Sequence, residues 1–117
     1  MVVRSWTDGR FALLQAVGDL DLTTVPRMRA EIDTVLAAML ATMEQPHLAI
    51  DLSQVPFCDS VGLGLLVSTL TRVRQQRGRL MLIVGDGMIP HLLTITNLDR
   101  HFEVTDSIDE ARQALAA

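Results

Sequence analysis

The sequence predicts one α/β domain: a mixed, largely parallel sheet with an N-terminal antiparallel hairpin, covered by about four helices. Three observations predict it. The runs His47 to Leu52 and Arg79 to Val84 are almost continuously apolar, as strands covered on both faces are. Before, between and after them, apolar residues recur at helical spacing. Near the start, Asp8-Gly9 separates two strand-like runs and favours a tight hairpin turn. Strands separated by helices need crossover connections and therefore lie parallel.

Taken in order, Val2 to Trp6 reads as an edge strand. Arg10 to Val17 is its partner, with Phe11, Leu13 and Leu14 supplying apolar faces. Gly18-Asp19-Leu20-Asp21-Leu22 is a turn that carries two carboxylates. Thr23 or Thr24 caps the first helix, and Pro26 falls in its first turn, where a missing N–H does no harm. Val25, Met28, Ile32, Val35, Leu36, Met39 and Met43 form its buried stripe. Glu44-Gln45-Pro46 ends it.

Leu48 to Leu52 is the next strand, with Ser53 to Asp59 as its exit loop. A second helix runs from about Ser60 to Gln76, with Leu63, Leu66, Val67, Leu70 and Val73 as its core stripe and Gly78 as its stop. Arg79 to Val84 is the third buried strand. Gly85-Asp86-Gly87 turns into a third helix, with Pro90 near its start and Leu92, Leu93 and Ile95 on one face. Phe102 to Thr105 is a short last strand. Ser107-Ile108-Asp109-Glu110 is a capping box that opens a closing helix carrying Ala111, Ala114 and Leu115.

Composition narrows the function. Residues 1–117 make one domain, long enough to bury a core without disulfides or metals. A hydrophobic content of 49% excludes a disordered chain. No apolar run reaches the length of a membrane span, so membrane insertion is not expected. The single cysteine, Cys58, forms no internal disulfide, so a reducing compartment, the cytoplasm, is expected. The net charge is −4 and no basic block is present, which argues against direct nucleic-acid binding. Arg72, Arg74, Arg77 and Arg79 fall at the end of a helix, where cations belong. All ten basic residues are arginine, which removes every mechanism that needs a lysine, the P-loop included.

Catalytic and metal readings are poor. A nucleophile elbow needs Gly-x-Ser-x-Gly, and Cys58 stands at the first glycine position before Ser60. His47, His91 and His101 carry no pattern marking a general base, and they are too scattered for a metal site. Asp51 and Asp59 at a strand's exit suggest a phospho-aspartate receiver, but its lysine is absent and so is its acidic cluster. Cys58 reads as a small buried apolar residue, and Gly85-Asp86-Gly87 as a turn. No enzyme activity, cofactor or metal is expected.

The informative stretch is Phe57-Cys58-Asp59-Ser60-Val61-Gly62-Leu63-Gly64-Leu65-Leu66, a strand-to-helix turn with a serine in the first helical turn. Asp59 and Ser60 are both candidate N-caps. Gly62 and Gly64 each cost roughly 1 kcal/mol against alanine inside a helix, so another backbone or a partner is expected to approach closely there. Val61 and Leu65 fall outside the core stripe and are expected to form a small exposed apolar patch beside Ser60.

The run Asp59-Ser60-Val61-Gly62-Leu63-Gly64 resembles the signature of the STAS family, in particular its anti-sigma factor antagonists (anti-anti-sigma factors). Gly18-Asp19-Leu20-Asp21 with Thr23 and Thr24 resembles the family's other motif, a Gly-acidic-Leu-Asp turn before the first helix. The ending fits as well, with Thr96-Asn97-Leu98, then Phe102, Ser107, Ala111 and Leu115. The resemblance implies a STAS fold over the whole chain and a phosphoprotein that works by partner switching in bacterial transcription regulation. Unphosphorylated, such a protein binds an anti-sigma factor that is also a serine kinase; phosphorylated, it does not. A serine phosphatase resets it.

By position the phospho-acceptor is Ser60. The implied partner-binding residues are Asp19, Asp21 and Thr23 from the turn, with Asp59, Ser60, Val61, Gly62, Gly64 and Leu65 from the helix start. One departure from the family stands out. Many members carry a second hydroxyl residue after the phospho-acceptor, and here that position is Val61. A monomer or weak dimer is expected. Two other functions are compatible with the fold: a STAS subunit docking on a transporter or signalling assembly without phosphorylation, and a sensor whose cleft beside the Ser60 helix start holds a small anionic ligand.

Overall fold

The computed structural model describes residues 1–8, 10–42 and 45–116; the expectations placed on Gly9, Met43 and Glu44 lie outside the described residues. Val2–Asp8 (β1) and Phe11–Val17 (β2) pair antiparallel, from Val2 opposite Val17 to Asp8 opposite Phe11. His47–Gln54 (β3), Arg79–Ile83 (β4) and Glu103–Thr105 (β5) then add in parallel. Sheet order is chain order, β1-β2-β3-β4-β5. The parallel steps pass through Val25–Thr42 (α1), Ser60–Gln75 (α2) and Met88–Ile95 (α3), the last followed by a 3₁₀ turn at Leu98–Arg100. Right-handed crossovers that always step the same way leave their helices on one face. The other face is covered by the closing helix, Ile108–Ala116 (α4), which packs against β2 to β5.

Alternation along the strands builds two unequal layers. Ala12, Leu14, Leu48, Ile50, Leu80 and Leu82 pack under α1 to α3 in the large core. Phe11, Ala49, Met81 and Ile83 pack against Ala111 and Leu115 of α4 in the small one. Val25, Met28, Ile32, Val35, Leu36 and Met39 of α1 are buried as their spacing predicts. Asp51 is only 1% exposed, and both its carboxyl oxygens are hydrogen-bonded. Gln15, opposite it across the sheet, donates at 3.1 Å, and the Ser53 N–H donates at 2.9 Å. The antiparallel β1–β2 pair also departs from the five-stranded parallel order that the receiver-like reading of Asp51 with Asp59 needs.

Several local expectations shift by a residue or two. In α2 the buried face is Gly62, Leu65, Leu66, Thr69, Leu70 and Val73. Leu63 is only half-buried and Val67 is exposed, so the expected stripe was rotated. The reason is chemical: glycine and threonine hold two positions of the true stripe and contribute little to an apolar pattern. In α3 it is Ile89 and Leu93 that are buried, while Ile95 is exposed. The α2 terminus closes with Arg77 N–H on the Arg74 carbonyl and Gly78 N–H on the Val73 carbonyl, both at 2.9 Å. In this pattern the left-handed residue is Arg77, at φ 60°, not Gly78. Gly78 is glycine for another reason: a Cβ there would lie 1.7 Å from the Pro46 carbonyl oxygen.

At α4, Ser107 caps as expected, accepting the Glu110 N–H at 3.2 Å. The Glu110 carboxylate accepts the Thr105 hydroxyl instead of reaching back to complete the box. The arginine cluster is spread over structural partners. Arg72 pairs with Asp33, Arg74 donates to the His101 carbonyl, and Arg79 forks onto Glu103, whose carboxyl it holds below the usual range.

Candidate functional site

The site is assembled by one residue of the acidic turn. Leu20, outside the named strands, forms an isolated parallel bridge with Cys58. Its N–H donates to the Phe57 carbonyl at 2.9 Å, and its carbonyl accepts the Asp59 N–H at 3.2 Å. Leu20 itself is buried, so the bridge is anchored in the core. This short graft brings the turn Gly18 to Thr24 against the start of α2. The two motifs lie far apart in the chain and are one surface in the fold.

Asp59 locks the two together. It is the N-cap of α2, with Oδ1 accepting the Gly62 N–H at 2.8 Å. Its second oxygen, Oδ2, accepts the Leu22 N–H at 2.9 Å from the acidic turn. One carboxylate thus satisfies a free donor at the helix start and a free donor in a loop. Asp59 is the cap, and Ser60 is the first helical residue. Ser60 is exposed, and among the described residues none takes its hydroxyl as a hydrogen-bond partner.

Asp21 organises its own turn. Its Oδ1 accepts the Thr23 hydroxyl at 2.7 Å, the Thr23 N–H at 2.9 Å and the Thr24 N–H at 3.2 Å. The Thr23 hydroxyl, first among these, holds the Asp21 carboxyl below the usual carboxylate range. The expected Thr23 or Thr24 cap is therefore replaced: the Asp21 side chain and carbonyl take the N–H groups ahead of α1. The Thr24 hydroxyl is spent on the Asp19 carbonyl at 2.7 Å.

Of the expected partner-binding residues, Asp19, Thr23, Ser60, Val61 and Gly64 are exposed, and Asp21 and Asp59 are half-exposed. Two are corrected. Leu65 is 2% exposed and belongs to the core, because the buried face of α2 is rotated toward it. Gly62 is buried, and the backbone that approaches it is internal: a Cβ would lie 2.5 Å from the Leu20 carbonyl oxygen. Gly64 faces open space, with nothing within 4 Å of a Cβ.

Exposed apolar side chains do occur on the segments joined at this site. Val61 is 39% exposed as expected, and it is joined by Leu22 at 67%, Phe57 at 41% and Met88 at 37%. Each is tied to the same stretch: Leu22 through Asp59, Phe57 through Leu20, and Met88 through its sulfur, which accepts the Cys58 N–H at 3.3 Å. Sequence reasoning missed these three. The one available signal was apolar residues in turns too short to reach a core. Cys58 is buried, and burial pushes its thiol up to about 11, which keeps it protonated and unreactive.

A cavity of about 400 Å³ lies between Leu52 to Pro56 and Gly85 to Pro90. Ser60 is not among its lining residues, so it is displaced from the expected cleft at the helix start. Among the described residues no cluster of His, Cys, Asp and Glu is arranged to hold a metal, and no helix is long and apolar enough to cross a membrane.

Comparison with known proteins bears on the fold. The family model described as "STAS domain" matches residues 6–111. The anti-sigma-B factor antagonist of Staphylococcus epidermidis is 31% identical over 108 residues, covering 92% of this chain and 94% of that protein. An anti-sigma factor antagonist from Mycobacterium paratuberculosis superposes with a TM-score of 0.80 at 23% identity, over 99% of this chain and 94% of the other. The Bacillus cell fate determinant SpoIIAA in its phosphorylated form superposes with a TM-score of 0.72 at 18% identity, over 97% of this chain and 98% of the other. At these identities the two structures show a shared fold.

Proposed function

The chain belongs to the STAS domain family, and from that premise we propose that it is an anti-sigma factor antagonist switched by phosphorylation of Ser60. It acts by binding, in a bacterial cytoplasm. Its partner is an anti-sigma factor with serine kinase activity, and a serine phosphatase restores the binding form. The observation that carries this reading is the state of Ser60: exposed, with no hydrogen-bond partner for its hydroxyl among the described residues, at the first position of α2 and beside the Asp59 lock. The relative in Staphylococcus epidermidis, named an anti-sigma-B factor antagonist, supports the same direction.

The physics of such a switch is direct. Phosphorylation adds about −1.5 to −2 charges. At a helix N-terminus that charge is favoured by the free N–H groups, the first turn of α2 holds no acidic residue, and the one adjacent carboxylate, Asp59, is already held by the Gly62 and Leu22 N–H groups, so the fold is expected to survive modification. The penalty then falls on the partner. An acidic group about 5 Å away, at an effective dielectric near 20, costs roughly 3 kcal/mol per unit charge before screening. That weakens binding by about a hundredfold. The exposed apolar side chains Leu22, Phe57, Val61 and Met88 supply the contact area around the serine, and Asp19 and Asp21 border it.

The test is peptide-mapped mass spectrometry of the protein from its own host under two growth conditions, followed by capture of the kinase. A phosphate on Ser60 that varies with condition is expected. So is a serine kinase that is retained by wild type and Ser60→Ala, lost by Ser60→Asp, and able to phosphorylate Ser60 from ATP. Equal retention by Ser60→Asp, or a chain never modified, overturns the switch and favours a docking subunit.

A further inference from the structure

We propose that Met88 is a reversible oxidation site whose modification loosens the segment leading into Ser60. The thioether is both accessible and engaged. Met88 is 37% exposed, whereas Met28, Met39 and Met81 are buried in the cores. It opens α3 directly after Gly87, and it lines the cavity of about 400 Å³ formed with Val55, Pro56 and the Gly85-Asp86-Gly87 turn. A small oxidant reaches it there. Its sulfur accepts the Cys58 N–H at 3.3 Å, two residues before Ser60.

The oxidant is a peroxide. A lone pair on Met88 Sδ attacks one peroxide oxygen, an S–O bond forms and the O–O bond breaks. The departing hydroxide leaves as water after taking the proton that the transferred oxygen gives up. The sulfur loses two electrons and the peroxide gains them. The product is methionine sulfoxide, polar where the thioether was apolar, and methionine sulfoxide reductases reverse the change. Cys58 does not compete as the target, because its buried thiol stays protonated.

The consequence follows from burial. Cys58 is buried, so its N–H cannot stay there without an acceptor at low cost. The 3.3 Å contact leaves no room for an added oxygen between sulfur and nitrogen, so accepting through the sulfoxide oxygen requires Met88 to move, and the direct sulfur acceptor is lost. The strand of backbone from Phe57 to Asp59 then keeps its Leu20 bridge on one side only. This site is independent of the phosphorylation reading, since neither its chemistry nor its test involves a partner.

The test treats the full chain with rising hydrogen peroxide and reads peptide-mapped mass and amide exchange. Met88 is expected to gain one oxygen before Met28, Met39 and Met81. Exchange of the Cys58 amide then rises about fivefold, the equivalent of one ordinary hydrogen bond. Met88→Leu, which keeps the volume and removes the acceptor, is expected to show the fast Cys58 exchange without peroxide and no change with it. Oxidation of Met88 no earlier than of the buried methionines overturns the proposal. So does unchanged Cys58 exchange in the oxidised protein or in Met88→Leu.

Discussion

The Asp59 carboxylate and the Leu22 backbone N–H, 37 residues apart in the chain, meet at 2.9 Å. The same carboxylate caps α2 through Gly62, so one side chain fixes both the acidic turn and the helix start. Removing it frees two donors at once.

Asp59→Ala is therefore expected to cost about 1–2 kcal/mol, at the upper end for a helix cap. In thermal denaturation that lowers Tm by roughly 5–10 °C for a domain of this size. Asp59→Asn keeps only one acceptor oxygen and is expected to fall between Ala and wild type. An Ala variant as stable as wild type would mean that the lock carries no energy.

The two glycines of α2 are expected to respond in opposite directions. Gly62→Ala drives a methyl group into the Leu20 carbonyl and Leu20 side chain, costing about 1–3 kcal/mol, as overpacking does. Gly64→Ala meets open space and is expected to stabilise by up to ~1 kcal/mol in urea unfolding. If Gly64 leaves room for the partner, the more stable variant binds it more weakly.

Asp21 carries a pH signature. Its carboxyl is held below the ordinary value of 3.8, chiefly by the Thr23 hydroxyl. A depressed folded-state pKa contributes stability that is present above the unfolded value and lost as pH falls through the folded one. Thr23→Val is expected to raise the Asp21 titration toward 3.8 by NMR and to flatten the acid limb of the stability curve. An unmoved titration would assign the shift to the backbone donors of Thr23 and Thr24 instead.

At the end of α2, Arg77 sits at φ 60° and Gly78 does not carry the positive φ. Arg77→Gly is expected to leave stability unchanged or raise it by up to ~1 kcal/mol, since glycine reaches the left-handed region freely. Gly78→Ala is expected to be severely destabilising, because its Cβ overlaps the Pro46 carbonyl backbone at 1.7 Å. Denaturant midpoints of the pair separate the two roles, and the reverse order would refute the assignment.

The class of the fold was legible because its signals are local. Buried parallel strands such as His47–Gln54 read as apolar runs, and the α1 stripe from Val25 to Met39 is strong enough to be read from spacing alone. The α2 stripe was misread at Leu65 because Gly62 and Thr69, both on the buried face, do not register as apolar. Their places are decided by the Leu20 backbone pressing on Gly62 and by the Thr69 hydroxyl returning to the Leu65 carbonyl at 2.8 Å.

The residue types of the site were determined by the sequence itself: a serine after an aspartate at a strand-to-helix turn, and a second acidic turn upstream. Which of Asp59 and Ser60 caps the helix and which faces solvent was decided only by the tertiary structure. So was the exposure of Leu22, Phe57 and Met88 on the segments hydrogen-bonded at this site. The reason is the Leu20–Cys58 bridge. It is a backbone contact between distant segments, made through N–H and C=O groups that every residue carries, and no side-chain pattern along the chain encodes it.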